Sequence, residues 1–323
     1  MKAIAVNGDH SLSLVTCEDP TPGPEDVLIE VRAAGINRAD LAQRAGKYPP
    51  PPGASQILGL EVSGQIAALG RNVSGFQVRD RVCALLSGGG YAERVVVPAA
   101  HLISLGSEFS YEEAAAIPEA FFTAYVNIFL EGAFRTGERV LIHGGSSGVG
   151  TSAIQMCALA GGTVFTTVRN QAKADAVRAI GAHEAIVYSE SDFVSAVLSK
   201  TENRGVDLIL CNVGGDYFQR NLSILATGGR LVQIAFLHGA EVSLNLSELM
   251  KRRARVIGST LRSRSDKEKA EITAGFVKEW WPRLVSKELN VVIDSVYPFE
   301  KVEEAHARMK SSEHIGKIVL RMP

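Results

Sequence analysis

The sequence predicts an α/β protein in two parts, a mainly β module followed by a module built on a doubly wound parallel sheet. Up to about residue 120, short apolar segments alternate with Gly and Pro clusters, as in strands joined by turns. From about residue 138, near-continuous apolar strands alternate with helical segments, which is typical of a parallel sheet covered on both faces. With 323 residues, 46% of them hydrophobic, the chain is long enough for two domains.

The first module is expected to place strands in the segments KAIAV, DVLIEVRAAGI, ILGLEVSGQIAAL, DRVCALL and YAERVVVP. The cluster YPPPPG at 48–53 cannot continue a helix or a central strand, so we expect an exposed loop there. Ser110 and the acidic residues after it favour a helix start, and Pro118 predicts a break between two short helices.

The second module is expected to alternate strands with helices. The strands are RVLIH, TVFTTV, AIVY, VDLILC, RLVQIAF and RVIGSTL, and the helices cover 148–160, 171–180, 192–200, 216–225 and 246–252. A long helix at about 266–284 follows. The segments VVIDSVYPF and GKIVLRM, with a helix at 301–310 between them, are expected to rejoin the first module.

Composition argues against several classes of partner. The 34 basic and 35 acidic residues leave a formal net charge of -1, so no overall field attracts nucleic acid or an acidic membrane. The four cysteines are too far apart for a C-x-x-C site and too few for a secreted disulfide framework. No signal peptide or run of about 18 apolar residues is present. We therefore expect a cytoplasmic protein with no nucleic-acid or membrane partner.

A glycine-rich stretch, HGGSSGVG at 143–150, lies between the first strand of the second module and a helix. Such a turn directs backbone N–H groups and the positive helix end towards a pyrophosphate. The full G-x-G-x-x-G spacing is absent, but Gly144, Ser147 and Gly150 keep small residues at the needed positions, and Gly150 allows close packing of the helix on the sheet. The stretch predicts a dinucleotide site; the alternative is a tight turn with no ligand.

The end of the next strand indicates which nucleotide is bound. An acidic residue there accepts hydrogen bonds from the ribose of NAD, whereas a basic residue meets the 2′-phosphate of NADP. The sequence is TVRNQAK, with no carboxylate before Asp175 and with Arg169 and Lys173 both in reach of a phosphate. This favours NADP, although a solvated Arg and Lys are also ordinary at such a junction.

Several longer segments together resemble a known family: AGINRADLAQRAGKYPPPPG, ILGLEVSG, VRDRVCALL, GGGYAERVVVP, AAAIPEAFFTAY, HGGSSGVGTSAIQ and HIGKIVL. The chain resembles the medium-chain dehydrogenase/reductase superfamily, within it the zinc-free, zeta-crystallin-like quinone oxidoreductases, and among these especially the proapoptotic quinone oxidoreductase subgroup. The resemblance implies a discontinuous GroES-like catalytic domain at 1–121 and 264–323, and a Rossmann NADPH-binding domain at 122–263. It also implies a homodimer, for which RLVQIAF and RVIGSTL are candidate edge strands.

The resemblance further predicts that no metal is bound. Zinc-dependent relatives carry a Cys at the position that resembles Asn37, and a His in a G-H-E motif where this chain has Gly59, Leu60 and Glu61. Glu61 alone makes no metal site, and we expect a buried acid satisfied by local hydrogen bonds. Without a Lewis acid, acceptors that already take hydride readily, such as quinones or conjugated enones, are favoured over simple alcohols as substrates.

The same resemblance assigns the site. Asn37 and Tyr48 are expected beside the nicotinamide and the substrate, where an amide and a phenol can hydrogen-bond a quinone oxygen; Tyr48 alternatively packs against the prolines after it. The expected cofactor contacts are Asn37, Tyr48, Thr123, Gly145, Ser146, Ser147, Gly148, Val149, Gly150, Arg169, Lys173, Tyr188, Phe236, Leu261, Arg262 and His314. Arg262 is equally consistent with a surface charge. His314 replaces an Asn of the family's N-I-G-K segment, so it either donates in place of that Asn or weakens the contact.

These features predict a zinc-independent, NADPH-dependent quinone reductase that passes hydride from the nicotinamide to a quinone. One alternative is a reductase of the carbon–carbon double bond of an enone or enoyl thioester. The other is a protein that binds NADPH without catalysis. Motifs do not give the shape of a substrate pocket, so the physiological acceptor stays open.

Overall fold

A computed structural model describes all 323 residues. The strands are β1 Lys2–Val6, β2 Leu12–Thr16, β3 Asp26–Ile36, β4 Glu61–Leu69, β5 Arg81–Leu85, β6 Arg94–Pro98, β7 Leu102–Ser104, β8 Arg139–His143, β9 Thr163–Val168, β10 Glu184–Val187, β11 Val206–Cys211, β12 Leu225–Gln233, β13 Arg255–Gly258, β14 Ile293–Pro298 and β15 Lys317–Arg321. The α-helices are α1 Arg38–Arg44, α2 Tyr111–Ala114, α3 Pro118–Ala124, α4 Gly148–Leu159, α5 Gln171–Ala179, α6 Phe193–Lys200, α7 Tyr217–Ser223, α8 Leu246–Arg252, α9 Asp266–Glu279, α10 Trp281–Val285 and α11 Val302–Ser311. A π-helical segment, Tyr125–Glu131, continues from α3.

The chain forms two compact units. Unit 1 comprises Met1–Phe122, Arg262–Lys287 and Val291–Pro323, and unit 2 comprises Thr123–Leu261 and Glu288–Asn290. Unit 1 is mainly β and unit 2 is α/β, so the fold class predicted from the sequence is confirmed.

Unit 1 contains a seven-stranded sheet in which the path β14-β15-β3-β4-β5-β7 is joined by β6, which pairs with β3. The two C-terminal strands therefore lie beside an N-terminal one, with β15 antiparallel to β3. In that register Ile318 faces Ile36, so the residues just outside the two paired ends, Asn37 and Lys317, are brought close together. Inward-facing side chains of these strands form an apolar core with Phe299 and Met309.

Unit 2 contains a six-stranded parallel sheet in the order β10-β9-β8-β11-β12-β13. The chain proceeds outwards from β8 to β10 on one side and from β11 to β13 on the other. The order therefore reverses between β8 and β11, and in open sheets of this kind ligands bind outside the carboxyl ends of the strands at such a reversal. The glycine-rich stretch begins at this end of β8.

The helices predicted for unit 2 are confirmed to within about two residues at each end. One prediction was wrong: the long helix expected at 266–284 is two helices, because α9 stops at Glu279 and α10 starts at Trp281. Pro282 accounts for the break, since a proline lacks the N–H that would continue the ladder and its ring clashes with the preceding turn. Strands β2 and β7 were not predicted. None of the helices combines the length and the apolar character that a membrane-spanning helix needs.

Candidate functional site

In unit 1, the ends of three strands bring together Asn37, Glu61 and Lys317. The Lys317 ammonium donates to Asn37 Oδ1 at 2.6 Å, to Glu61 Oε1 at 2.5 Å and to the Ile36 carbonyl at 3.0 Å. The Asn37 amide in turn donates from Nδ2 to Glu61 Oε1 at 2.9 Å. All three protons of Lys317 are thus used, and the amide of Asn37 is held in one orientation.

This cluster is buried, which makes its pairing obligatory. The side chains of Lys317 and Glu61 are 5% and 0% exposed, and a buried charge without a partner costs several kcal/mol, on the order of 3–5 when one partner is removed. Gly35 makes room for the carboxylate, because a Cβ at Gly35 would lie 2.2 Å from Glu61 Oε1. Glu61 is the buried, satisfied acid expected from the sequence, but its partners are 24, 58 and 256 residues away rather than local.

Asp40, in the first turn of α1, fixes the backbone next to Asn37. Its carboxylate accepts from the Asn37 N–H at 2.8 Å, the Gly59 N–H at 3.1 Å and the Tyr91 hydroxyl at 3.0 Å. Complete burial raises the pKa of Asp40 to about 6 in spite of these donors. The Tyr91 hydroxyl also lies 3.2 Å from His306 Nε2, so a polar chain runs through the core of unit 1 from Asn37 to α11.

Tyr48 lies at the start of the proline cluster and is held by Arg262. The guanidinium, 3% exposed, donates to the Tyr48 carbonyl at 3.3 Å, to Gln43 Oε1 at 2.7 Å and to the Ser87 carbonyl at 2.9 Å. Its Cζ also lies 5.3 Å from the centroid of the Tyr48 ring. The surface-charge interpretation of Arg262 is wrong, because the side chain is buried. Burial and the negative charge of Glu119 raise the pKa of the Tyr48 phenol, while Arg262 opposes the rise.

Glu119 was quoted in the sequence motif AAAIPEAFFTAY but not singled out as a site residue. It is the second residue of α3, and its backbone N–H donates to Glu61 Oε2 at 2.9 Å. The residue is partly exposed, yet its carboxyl oxygen Oε2 is buried and has no hydrogen-bond partner. Burial and the charge of Glu61 raise the pKa of Glu119 to about 8. No local pattern singled it out, because its surroundings are set by groups distant in sequence such as Glu61, 58 residues away.

The glycine loop of unit 2 has a geometry that suits a pyrophosphate. Gly144 has a φ of 72°, and Ser147 is the N-cap of α4, its Oγ accepting from the Gly150 N–H at 3.0 Å. A Cβ at Gly150 would lie 2.4 Å from the Gly144 carbonyl, and one at Gly145 would lie 2.0 Å from Thr166 Oγ1. Gly150 therefore packs tightly against the backbone of the loop itself, at Gly144 and Gly145, whereas the predicted packing was against the sheet. The N–H groups of the first helical turn have no acceptor within the helix, so the start of α4 can bind an anion.

Two cations flank the next strand end. Arg169 is exposed directly after β9. Lys173 is 5% exposed, and its ammonium donates to Ser146 Oγ of the glycine loop at 3.1 Å, so it is not the solvated lysine that the alternative interpretation requires. Asn170 caps α5 by accepting from the Lys173 N–H. Tyr188 follows the neighbouring strand β10 and is 47% exposed, at one edge of a cavity of about 340 Å³.

The other residues expected at the cofactor are less closely grouped. Phe236 follows β12 and is 64% exposed, and its backbone lies near Gly214, after β11. Thr123 is buried at the start of unit 2, where its carbonyl accepts from the Asn127 amide. Leu261 and His314 are also buried, in unit 2 and unit 1 respectively. Gly148 and Val149 form the first turn of α4. The cofactor contacts of these residues stay predictions.

A buried histidine, His143, lies where β8 enters the glycine loop. His143 ends β8; its Nδ1 lies 3.0 Å from Thr167 Oγ1 and its Nε2 lies 2.7 Å from Asn221 Oδ1. Burial lowers the pKa of His143 to about 4, so the ring is neutral near pH 7. It ties β8 to β9 and α7 at the reversal point of the sheet.

Models of two protein families match the chain, "Alcohol dehydrogenase GroES-like domain" over residues 23–107 and "Zinc-binding dehydrogenase" over residues 180–320. The quinone oxidoreductase of Homo sapiens is 31% identical over 307 residues, which cover 93% of this chain and 90% of that protein. The chain belongs to the zeta-crystallin-like family of the medium-chain dehydrogenase/reductase superfamily. It is therefore an NAD(P)-dependent oxidoreductase with a GroES-like domain and a Rossmann-like parallel sheet.

Solved structures of this superfamily match the whole chain. The quinone oxidoreductase of Pseudomonas syringae pv. tomato has a TM-score of 0.88 at 30% identity and covers 99% of each chain. The Escherichia coli quinone oxidoreductase complexed with NADPH has a TM-score of 0.87 at 26% identity and covers 99% of this chain and 98% of that one. The JamJ enoyl reductase has a TM-score of 0.89 at 26% identity and covers 100% of this chain and 99% of that one.

Zinc, which one matching model carries in its description, does not fit the residues present. The three side chains at the corresponding positions are Asn37, Leu60 and Glu61, and an ammonium group, Lys317, already lies on the amide and the carboxylate. A cation bound there would face Lys317 at close range, and thiolate and imidazole ligands are missing from this donor set. A nicotinamide dinucleotide, in contrast, suits the glycine loop, which leads from the carboxyl end of β8 into the start of α4, where an anion can bind.

Proposed function

We propose that this protein is a zinc-independent, NADPH-dependent quinone reductase. The observation that carries the proposal is the pairing of the glycine loop with Lys173, a buried cation held against that loop by Ser146 at 3.1 Å. Sequence identity of 31% to a quinone oxidoreductase supports the same acceptor class. We also propose that the segments 1–121 and 264–323 form the catalytic domain, and that 122–263 form the cofactor domain.

On the cofactor side, the N–H groups of Gly148 and Val149 would bind the pyrophosphate. Gly150, whose N–H donates to Ser147 Oγ, would help to shape the loop together with Gly145, Ser146 and Ser147. Arg169, Lys173 and Tyr188 would meet the 2′-phosphate, because they follow the carboxyl ends of β9 and β10, and no carboxylate stands between the end of β9 and Asp175. A phosphate there would lie beside the buried ammonium that donates to Ser146 Oγ of the glycine loop at 3.1 Å. Bound NADPH supplies a hydride and its two electrons.

Thr123, Phe236, Leu261, Arg262 and His314 complete the proposed cofactor contacts. Phe236 is the strongest of these, since an apolar ring that is 64% exposed after a strand of a parallel sheet is a ready wall for a flat ring. Arg262 contributes indirectly, by holding the loop that carries Tyr48. Three of its five N–H groups already donate within unit 1, to Ser87, Tyr48 and Gln43.

On the acceptor side, Asn37 and Tyr48 would orient the quinone and stabilise the negative charge that develops on its oxygen. The amide of Asn37 is fixed by Lys317 and Glu61, so it is preorganised and loses little entropy when a ligand binds. The Tyr48 phenol carries a donor O–H, and Arg262 over its ring favours negative charge at that position. The Glu61 carboxylate balances the charge of the Lys317 ammonium, so Lys317 acts here by holding Asn37 in place.

A second candidate is a reductase of an enone or enoyl double bond. It is favoured by the likeness to the JamJ enoyl reductase over 100% of this chain and by Glu119, a carboxyl whose pKa is raised to about 8 and whose charge raises the pKa of Tyr48. Reduction of a double bond requires a proton at the carbon next to the carbonyl, whereas the anion of a reduced quinone takes its proton from water. The two candidates therefore differ in how strongly they depend on an acid of the protein.

We also propose a homodimer formed along β13. This strand is the edge of the unit 2 sheet, and Val256 on it is 41% exposed. Nearby in the chain, Leu246 and Met250 of α8 are 62% and 74% exposed. Large apolar side chains that are exposed together often mark an interface with another protein. Light scattering of the purified protein and of a Met250→Asp variant tests this: the wild type should have twice the mass of one chain, and the variant should dissociate.

The function is tested by the loss of reduced-nicotinamide absorbance with 1,2-naphthoquinone. NADPH and NADH are compared as donors, a simple enone serves as the second acceptor, and the protein is treated with a chelator beforehand. The proposal expects quinone turnover that survives chelation and is much faster with NADPH than with NADH. Turnover with the enone alone would establish the second candidate. Tight NADPH binding without turnover of any acceptor would mean that the protein is a binding protein.

A further inference from the structure

Two cations of unit 1, Arg262 and Lys269, are buried and meet at the same residue, Ser87. Their side chains are 3% and 2% exposed. The Arg262 guanidinium donates from Nε to the Ser87 carbonyl at 2.9 Å, and the Lys269 ammonium donates to the Ser87 hydroxyl. All the acceptors of this cation pair are neutral carbonyl, amide or hydroxyl oxygens. The pair is therefore solvated by neutral groups of the protein and has no bonded counter-charge.

Other buried cations of the chain are treated differently. Arg230, 5% exposed, donates two hydrogen bonds to the Glu138 carboxylate, and Lys317 donates to the Glu61 carboxylate. Such pairing is the rule for buried charges, because a charge taken out of water without a partner of opposite sign is costly. The cation pair at Ser87 departs from that rule, which indicates that its counter-charge is supplied from outside the chain.

The carboxylates around Lys269 do not fill this role. Those of Asp266, Glu119 and Glu268 favour its charged form through their negative charge, but none of them accepts a hydrogen bond from its ammonium. Burial lowers the pKa of Lys269, and the positive charge of Arg262 adds to this lowering. An anion bound at Ser87 would offset both effects.

Donors that are not used converge at Ser87. Lys269 uses one of its three protons, and Arg262 uses three of its five N–H groups. The Ser87 hydroxyl accepts from Lys269, while its own proton is donated to no group of the chain. Ser87 is itself partly exposed, so a ligand can reach this point from solvent although both cations are buried. The arrangement suits a small anionic group with two oxygen atoms.

This cluster lies beside the proposed acceptor site. The guanidinium that binds the Ser87 carbonyl also donates to the Tyr48 carbonyl at 3.3 Å, and its Cζ is 5.3 Å from the centroid of the Tyr48 ring. A guanidinium is a small planar group, so the two backbone segments that it bridges are neighbours. A side chain of an acceptor held at Tyr48 can therefore extend to Ser87.

We propose that Lys269, together with Ser87 and Arg262, binds a carboxylate group of the acceptor, so that the enzyme prefers quinones that carry an acidic side chain. This inference rests on the proposed function and deepens it by naming the substrate class. The carboxylate takes one hydrogen bond from the Ser87 hydroxyl and one from the Lys269 ammonium. The three residues take no part in the chemistry; they determine which acceptor is bound.

The test compares two acceptors that differ only in charge: a 1,4-benzoquinone with a propanoate side chain, and its methyl ester. The wild type should reduce the acid with a higher kcat/KM than the ester. In Lys269→Met the ratio of kcat/KM for acid to ester should fall about 10- to 100-fold, the contribution of one hydrogen bond to a charged group. The loss should appear in KM for the acid rather than in kcat, because the carboxylate is bound equally before and during hydride transfer.

The matched control is Lys267→Met, the same change two residues earlier on α9, where the side chain is 87% exposed. Its acid-to-ester ratio should equal that of the wild type, although both proteins have lost one positive charge. A second variant, Ser87→Ala, keeps the carbonyl that Arg262 binds and removes only the hydroxyl. Its ratio should fall about three- to tenfold, since the lost donor is neutral.

A binding measurement makes the test independent of turnover. The hydroquinone form of the acid is titrated into the wild type and into Lys269→Met under nitrogen, with calorimetric detection. The variant should bind it at least about tenfold more weakly, while the hydroquinone of the ester should show a much smaller difference.

The outcomes separate this proposal from the proposed function. If the wild type reduces both quinones and shows no preference for the acid, or if Lys269→Met keeps that preference, the carboxylate site is ruled out while quinone reduction stands. If the wild type oxidises NADPH with neither quinone, the proposed function fails, and calorimetry then decides the site alone. Equal affinity of the wild type and Lys269→Met for the acidic hydroquinone would overturn it.

Discussion

The two units build their candidate sites in opposite ways. In unit 2, the glycine loop is one continuous stretch of eight residues, 143–150, and the groups proposed to bind the ligand are backbone N–H groups at a helix start. In unit 1, Asn37, Glu61 and Lys317 meet only because β3, β4 and β15 pair, with Lys317 and Asn37 separated by 280 residues. One site is local and uses backbone dipoles; the other is long-range and uses buried charges.

Because of this difference, substitutions in the two sites should have different effects. A buried ion cluster depends on every partner, so its loss destabilises the fold before it affects chemistry. A backbone loop depends on space and dihedral freedom, so its disruption affects ligand affinity before stability. The changes below test that contrast, beginning with the largest expected effect.

Lys317→Met should destabilise unit 1 by about 3–5 kcal/mol, because it leaves the Glu61 carboxylate buried without its counter-charge. Urea unfolding followed by a probe in unit 1 measures the change. Lys310→Met, on the exposed face of α11, is the control and should have almost no effect. The double change Glu61→Gln with Lys317→Met should recover much of the loss. Equal stability of Lys317→Met and the wild type would contradict the account.

His143 gives unit 2 a pH dependence. Its folded-state pKa of about 4 lies below the ordinary 6.5, so the unfolded chain binds more protons between these values and stability is lost as pH falls from 6.5 towards 4. The loss should reach about 1.4 kcal/mol per pH unit in that window. His143→Gln, which keeps hydrogen-bonding groups but does not titrate, should flatten this slope. Hydrogen exchange of the β8 and β9 amides measures it; an unchanged slope would mean that His143 charges without cost.

Gly150→Ala should weaken NADPH binding with little change in the stability of unit 1. The new Cβ would lie 2.4 Å from the Gly144 carbonyl, and overpacking of this kind costs about 1–3 kcal/mol. At tenfold per 1.4 kcal/mol, the dissociation constant should rise about tenfold or more, as measured by calorimetric titration. Gly258→Ala is the control, since nothing lies within 4 Å of a Cβ there. Equal affinities for the two variants would argue against the pyrophosphate loop.

Lys173→Met should have the smallest effect and the most selective one. It removes the buried ammonium beside the glycine loop, so NADPH should bind about tenfold more weakly, the loss of one charge-assisted hydrogen bond of roughly 1.5 kcal/mol, while NADH affinity stays near its original value. The ratio of the two dissociation constants is the measurement. An unchanged ratio would assign Lys173 to loop support alone.

The fold was predictable from the sequence because its signals are local. Apolar runs and turn residues located most strands, and Ser147 and Asn170 cap the helices that periodicity predicted. The break at Trp280 was missed because Pro282 stands only two residues into the second helix, where proline is tolerated.

The site was predictable only in its local half. The glycine loop can be identified from its motif, and Lys173 can be predicted as a site residue because it stands shortly after the end of a strand. Lys317 and Glu119 could not be found this way, because their surroundings are set by strand pairing and by the burial of groups distant in sequence. The sequence correctly predicted that Glu61 is a buried acid, but it did not predict which groups bind it, because they lie far away in the chain.

Hydride transfer from NADPH to a quinone is the central claim, and a single-turnover experiment tests it most directly. The enzyme is mixed with excess 1,2-naphthoquinone and with NADPH that carries deuterium at C4, in either of its two configurations, and oxidation is followed by stopped-flow absorbance. The account predicts that one of the two deuterated donors reacts clearly more slowly than unlabelled NADPH and that the other does not. Equal rates for all three donors, or no oxidation of NADPH, would contradict it.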